Sequence, residues 1–270
     1  MTIYANKNVR ISYALCFAAM LICAITLFSA CQLAPQGYKS NPEAIKLNES
    51  GIEAFQNGQY DNAGLYFQRA IQSDPSNPAV WNNQGQVLDA QGKFGQAIDA
   101  YDQAIKLDSN FADAWSNKGL SYYNLQQYNT ALDCFNKAIA LKDNLETYWV
   151  NKGLTLIALA EYGEAVVAYD KATSLAPSDV NAWDQEAYSQ MKLGKYDDAL
   201  STVDRALVLD DHSALAWSYK AKSLHQLRRY DEALAAWDKA LAIDPDNAEL
   251  RNGRALTTQA MHHNYMPNMD

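Results

Sequence analysis

The sequence predicts an all-α fold, a solenoid of six tandem 34-residue helix–turn–helix units. Three observations carry this. Trp81, Trp115, Trp149, Trp183 and Trp217 are evenly spaced at that interval. Two alanine registers keep the same period, one through Ala63, Ala97, Ala131, Ala165, Ala199 and Ala233, the other through Ala70, Ala104, Ala138, Ala172, Ala206 and Ala240. The glycines Gly51, Gly85, Gly119 and Gly153 repeat it again. Self-similarity at such a period means one supersecondary unit stacked on copies of itself, because no single copy can bury its apolar face alone.

At the N-terminus, Lys7 and Arg10 flank an uncharged apolar stretch at residues 11–28, which ends in Ser29, Ala30 and Cys31. That order predicts an export signal over residues 1–30. Its end resembles a bacterial-type lipobox, with Phe28 where leucine is usual, which implies Cys31 as the lipidated residue. The alternative is an uncleaved transmembrane helix, since an apolar stretch of that length can just span a bilayer. Both readings keep the positive flank inside and send the rest of the chain across. A polar, proline-containing linker is expected over residues 31–43.

The six units are expected at 44–77, 78–111, 112–145, 146–179, 180–213 and 214–247. In the second, Trp81, Gln84, Gly85 and Leu88 share one helix face at i, i+3, i+4, i+7 spacing. Gly92, like Gly58 and Gly194, stands where a left-handed residue closes the first helix. The second helix starts near Phe94 and turns Ala97, Tyr101 and Ala104 inward. Asp-Pro-Ser-Asn-Pro at 74–78 then separates the first two units, with Pro78 suited to a first helical turn. A helical glycine costs about 1 kcal/mol relative to alanine, so four at one period imply close helix approach. Tyr60, Phe94, Tyr128, Tyr162, Tyr196 and Tyr230 recur in a further register. A capping helix is expected over 248–261, and a disordered tail over 262–270.

This pattern resembles the tetratricopeptide repeat family. Its signature stands here as Trp115, Lys118, Gly119, Tyr122, Ala131, Phe135 and Ala138, and again as Trp149, Gly153, Ala165, Tyr169, Ala172 and Pro177. Leu47 replaces the tryptophan in the first unit, Ala187 and Ala221 replace glycine, and the closing proline is lost at Ser109, Asp143 and Asp211. The resemblance implies a right-handed superhelix whose first helices line a concave groove.

Composition narrows the function classes. The chain carries 22 basic and 31 acidic residues, a net charge of −9, which leaves no broad basic surface for nucleic acid. With 49% hydrophobic and 20% charged residues it is not a disordered chain. Cys16, Cys23 and Cys31 precede the repeats, so Cys134 has no partner and no disulfide framework holds the main body. The four histidines, His212, His225, His262 and His263, lack metal-ligand spacing, so no metal site is expected. No phosphate loop, catalytic constellation, cofactor site or small-molecule substrate site is expected either.

The groove implied by the resemblance is the remaining candidate. Asn83, Asn117 and Asn151, followed by Gln185 and Tyr219, occupy one register of the first helices. Their amides are expected to hydrogen-bond the backbone of an extended peptide. Leu120, Tyr123, Leu154 and Tyr188 supply an apolar middle, and Lys192 and Lys222 follow the acidic Glu49, Asp89, Asp113 and Asp184. The expected function is an extracytoplasmic scaffold, anchored at the cell or outer membrane, that binds a protein or peptide and has no catalysis of its own. The alternative is an assembly factor for a pilus, secretion or envelope-biogenesis complex.

Overall fold

The computed structural model describes residues 41–265, which hold thirteen helices and no strand. The export signal, Cys31 and nearly all of the expected linker lie outside the described residues. Six helix pairs follow one another: α1 (Pro42–Gln56) with α2 (Tyr60–Ser73), α3 (Pro78–Ala90) with α4 (Phe94–Leu107), and α5 (Ala112–Asn124) with α6 (Tyr128–Leu141). Then come α7 (Glu146–Ala158) with α8 (Tyr162–Leu175), α9 (Val180–Lys192) with α10 (Tyr196–Leu209), and α11 (Ala214–Gln226) with α12 (Tyr230–Ile243). A last helix, α13, spans Ala248–Tyr265. The fold is all-α, with helix pairs packed in tandem.

Two limits differ from the expected ones. Asn41 caps α1 by accepting from the Glu43 amide at 3.0 Å, and Pro42 fills the first turn, so this helix starts inside the expected linker. At the other end α13 continues past 261, which puts His262 and His263 on a helix rather than in a tail.

The chain forms two compact units, one ending at Asp143 and the other starting at Asn144. In the first, α1 packs on α3 and α3 on α5, and the second helices α2 and α4 fill the joints to the next pair. In the second, α7, α9, α11 and α13 form the same succession, with α8, α10 and α12 in the joints. Each unit therefore presents a layer of first helices, which in the second unit ends on α13.

The periodic small residues explain how close the helices come. A Cβ on Gly51, Gly85, Gly119 or Gly153 would stand 2.4–2.8 Å from the ring of Phe67, Tyr101, Phe135 or Tyr169 on the second helix of the same pair. Ala187 is tolerated because its own pair places Val203 in the ring position, and valine has no ring. Opposite Ala221 stands Trp237, and its ring lies instead against Gly253 of α13, 2.5 Å from where a Cβ would be. The Trp237 indole also donates to Thr257 Oγ1 at 3.0 Å, which ties α13 to the last pair.

The first helices close in the left-handed region, through Gly58, Gly92 and Gly194 at φ 72–74°. Gln126, Ala160 and Arg228 take the same conformation at φ 60–61° without being glycine. Such a residue costs about 1–2 kcal/mol in strain. Unlike the buried Trp237, the five evenly spaced tryptophans are only half-buried, and their indoles do more than pack. Those of Trp81, Trp115, Trp183 and Trp217 each donate to a carbonyl six residues back, at 2.9–3.2 Å, pinning the turn between repeats.

Candidate binding face on the first helices

Asparagines at the expected ligand register are buried rather than offered on the surface. Asn83, Asn117 and Asn151 are 2–3% exposed, so almost none of their surface is offered to a partner. The Asn83 amide donates to Asn48 Oδ1 at 2.9 Å, and the Asn117 amide donates to Asn82 Oδ1 at the same distance. Each bond joins a first helix to the first helix of the preceding repeat. The expectation of a peptide-facing ladder is corrected accordingly: all three amides are buried, and those of Asn83 and Asn117 hold neighbouring repeats in register beneath the surface. Asn48 and Asn82 were missed as partners, although they occupy the adjacent register one repeat earlier.

Position 219 is corrected in the same way. Tyr219 is 8% exposed, with its ring centroid 6.0 Å from that of Tyr188. Gln185 is half-buried. What remains on the first-helix layer of the first unit is Leu120 and Tyr123, both half-buried. The Tyr123 ring meets Tyr128 edge-on at 5.3 Å. In the second unit the corresponding surface holds Leu154, Tyr188, Lys192 and Lys222. Lys192 is exposed, with its Nζ 5.2 Å from the Tyr188 ring centroid. Lys222 lies 5.7 Å from the Tyr219 ring centroid and bonds Glu249 of α13 at 2.8 Å. This face is aromatic and apolar, with cations snorkelling over rings.

Acidic groups in the layer are also partly committed. Asp89 accepts from the Tyr101 hydroxyl and from Ser121 Oγ, each at 2.7 Å. Burial outweighs those donors and raises its carboxyl to about 6. Asp184 is 4% exposed, and burial, with Asp210 and Asp179 nearby, raises it to about 7. These two carboxyls are more weakly negative than their type implies.

Little in the described residues points to chemistry. The buried Cys134 thiol is pushed up to about 11 by burial, which leaves little thiolate at neutral pH. Asp210, Asp211 and His212 hold possible ligand atoms within 4.8 Å of one another. They are exposed, and Asp210 already accepts the His212 amide at 3.0 Å in the turn after α10. That trio forms no preorganised cation site. No helix among the described residues is long and apolar enough to cross a membrane.

Comparison with known proteins fits this geometry. Tetratricopeptide repeat models match residues 47–77, 66–99, 112–145, 146–179 and 185–248, and a TPR repeat model matches 85–126. No curated protein matches the chain. Among solved structures, YrrB, described as a TPR protein with an unusual peptide-binding site, is 25% identical. The match has a TM-score of 0.65 and covers 70% of this chain and 97% of YrrB. PilF of Pseudomonas aeruginosa is 18% identical, with a TM-score of 0.68 over 79% of this chain and 97% of that one. MamA of Desulfovibrio magneticus RS-1 is 17% identical, with a TM-score of 0.59 over 64% of this chain and 98% of that one.

Proposed function

We propose that this chain, an all-α array of tetratricopeptide repeats, is a non-catalytic scaffold that holds a protein segment against its first-helix layers. The observation that carries the reading is what the packing leaves over. Amides and tryptophans are spent on joints and turns, while Leu120, Tyr123, Leu154 and Tyr188 keep apolar surface that no neighbour covers fully. Half-exposed aromatic and aliphatic groups on a rigid helical layer suit an amphipathic helix or extended segment. The peptide-binding site named for YrrB supports the same class of ligand. In this reading Asn83 and Asn117 set the spacing of the first unit's layer, Asn151 stays buried in α7, Tyr219 backs Tyr188, and Gln185 and the cations Lys192 and Lys222 contribute polar contacts at the edge of the second unit's layer.

The scaffold is proposed to be exported and held at the membrane through lipidated Cys31. The support is the order of basic flank, apolar stretch and small residues before that cysteine. An assembly role in a pilus, secretion or envelope complex is a second reading, favoured by the PilF fold match.

Two measurements test the proposal. Replacing Leu120 with Glu and Tyr188 with Ala should weaken capture of a native partner at least tenfold, with the helical circular dichroism unchanged. Unchanged capture would remove the first-helix layers from the account. Mass spectrometry of membrane-extracted protein should show acylated Cys31 as the N-terminus. An intact Met1 would replace the lipid anchor with a transmembrane one.

A further inference from the structure

One joint in the second unit departs from a pairing that three other joints keep. Three joints pair a cation on a following helix with an aspartate on the helix before it. Lys118 bonds Asp102 at 2.5 Å, Lys220 bonds Asp204 at 2.7 Å, and Arg254 bonds Asp238 at 2.5 Å. At the joint between α8 and α9 the aspartate remains, as Asp170, but the cation position holds Glu186. Two carboxyl groups therefore meet where a salt bridge stands elsewhere.

Glu186 is poorly compensated. It is 6% exposed, and its Oε2 is buried without a hydrogen-bond partner. Its Oε1 accepts from the Gln190 amide at 2.9 Å, and the amide oxygen of Gln190 is itself buried and unpaired. From α8 it faces Asp170 and the Thr173 hydroxyl, and from α10 it faces Arg205. That guanidinium is drawn to the Trp183 ring, 5.2 Å from its centroid. On its other side α9 carries Asp184, whose Oδ1 is likewise buried and unpaired. Asp179 and Asp210 at the helix ends and Tyr219 on α11 face it, and Glu146 of α7 is bonded to Asp179.

We propose that the docking of α9 onto α8 is proton-operated: a proton on Glu186 stands in for the ammonium or guanidinium of the other joints. A neutral Glu186 gives its orphan oxygen a proton to donate and removes the repulsion from Asp170, whereas an ionised one leaves a buried charge beside a second carboxylate. Burial first, and then Asp170, raise its carboxyl from 4.5 to about 7, which places the change near neutrality. The sign follows from the raised value. The open form releases its proton from about pH 4.5 upward, so the closed joint loses stability as pH rises from there to about 7, and loses no more above it. The joint is tight in mild acid and loosest at and above neutral pH.

Hydrogen exchange of the full chain tests this, read as protection factors for residues 180–192. Between about pH 5.5 and pH 8, the raised carboxyl allows roughly a 30-fold fall in wild-type protection, and a fall of about tenfold or more is expected. Asp184 on the same helix is also raised to about 7, so the comparison is made in an Asp184→Asn background, where Glu186→Gln, neutral at every pH and of the same shape, should flatten that response. Glu186→Lys should give at pH 8 the protection that the wild type reaches only in acid. Helix α11, docked by the Lys220–Asp204 pair, should show no matching change. Wild-type protection of α9 that changes less than threefold would overturn the proposal. A full response kept by Glu186→Gln, or shared equally by α11, would overturn it as well.

Discussion

Replacing Gly119 with Ala probes the packing on which the first-helix layers stand. The new Cβ would lie 2.8 Å from Phe135 Cε1 and 3.0 Å from its Cζ. Phe135 is fully buried, so its ring cannot swing aside without disturbing the joint. Overpacking of this kind costs about 1–3 kcal/mol, against a helix-propensity gain of about 1 kcal/mol. The single change should therefore be neutral to destabilising by about 2 kcal/mol. Phe135→Val alone removes most of a buried ring and should cost about 2–3 kcal/mol. Together they recreate the pairing of Ala187 with Val203 that the fifth repeat already uses. The clash disappears, the methyl fills part of the void, and the double variant should be more stable than Phe135→Val by about 1 kcal/mol. That amounts to a favourable coupling of about 1–3 kcal/mol in a double-mutant cycle, measured by urea unfolding. Costs that simply add would refute the idea that the glycine is there for the ring.

Three further expectations are open to simple tests. Ala160→Gly should raise stability by up to about 1 kcal/mol despite lying beside a helix, because φ 60° is strained for alanine; a loss in thermal unfolding would contradict this. Asn117→Ala should cost about 1–2 kcal/mol, because Asn82 loses its donor in a buried joint, and calorimetry can check it. The Cys134 thiol should resist alkylation at neutral pH in the folded chain and react once urea exposes it; rapid labelling of folded protein would show the joint to be open.

Helix identity was legible because it depends on local chemistry repeated many times. The recurring Trp, Ala and Gly registers located the pairs, and Gly58, Gly92 and Gly194 marked first-helix ends. The same ends at Gln126, Ala160 and Arg228 carry no such mark, since there the stack imposes a conformation the residue disfavours. The candidate site was legible only in part, for a related reason. A helix wheel shows which residues share a face, but not whether the preceding repeat covers it. Asn48 and Asn82 cover Asn83 and Asn117, so those asparagines became joint residues, while Leu120 and Tyr123 kept surface. The Glu186–Asp170 meeting was visible as an exception to the aspartate–cation pairing, but that pairing only acquires meaning once the joint is seen.

Site-specific photocrosslinking in the cells that make the protein tests the central claim most directly. A photoreactive amino acid would replace Tyr123 or Tyr188 on the first-helix layers, or Leu65 or Val167, which stand exposed on second helices. The account predicts one discrete adduct with the same protein from both tyrosine positions and none from Leu65 or Val167. Adducts confined to Leu65 and Val167 would move the binding surface to the second helices and contradict it.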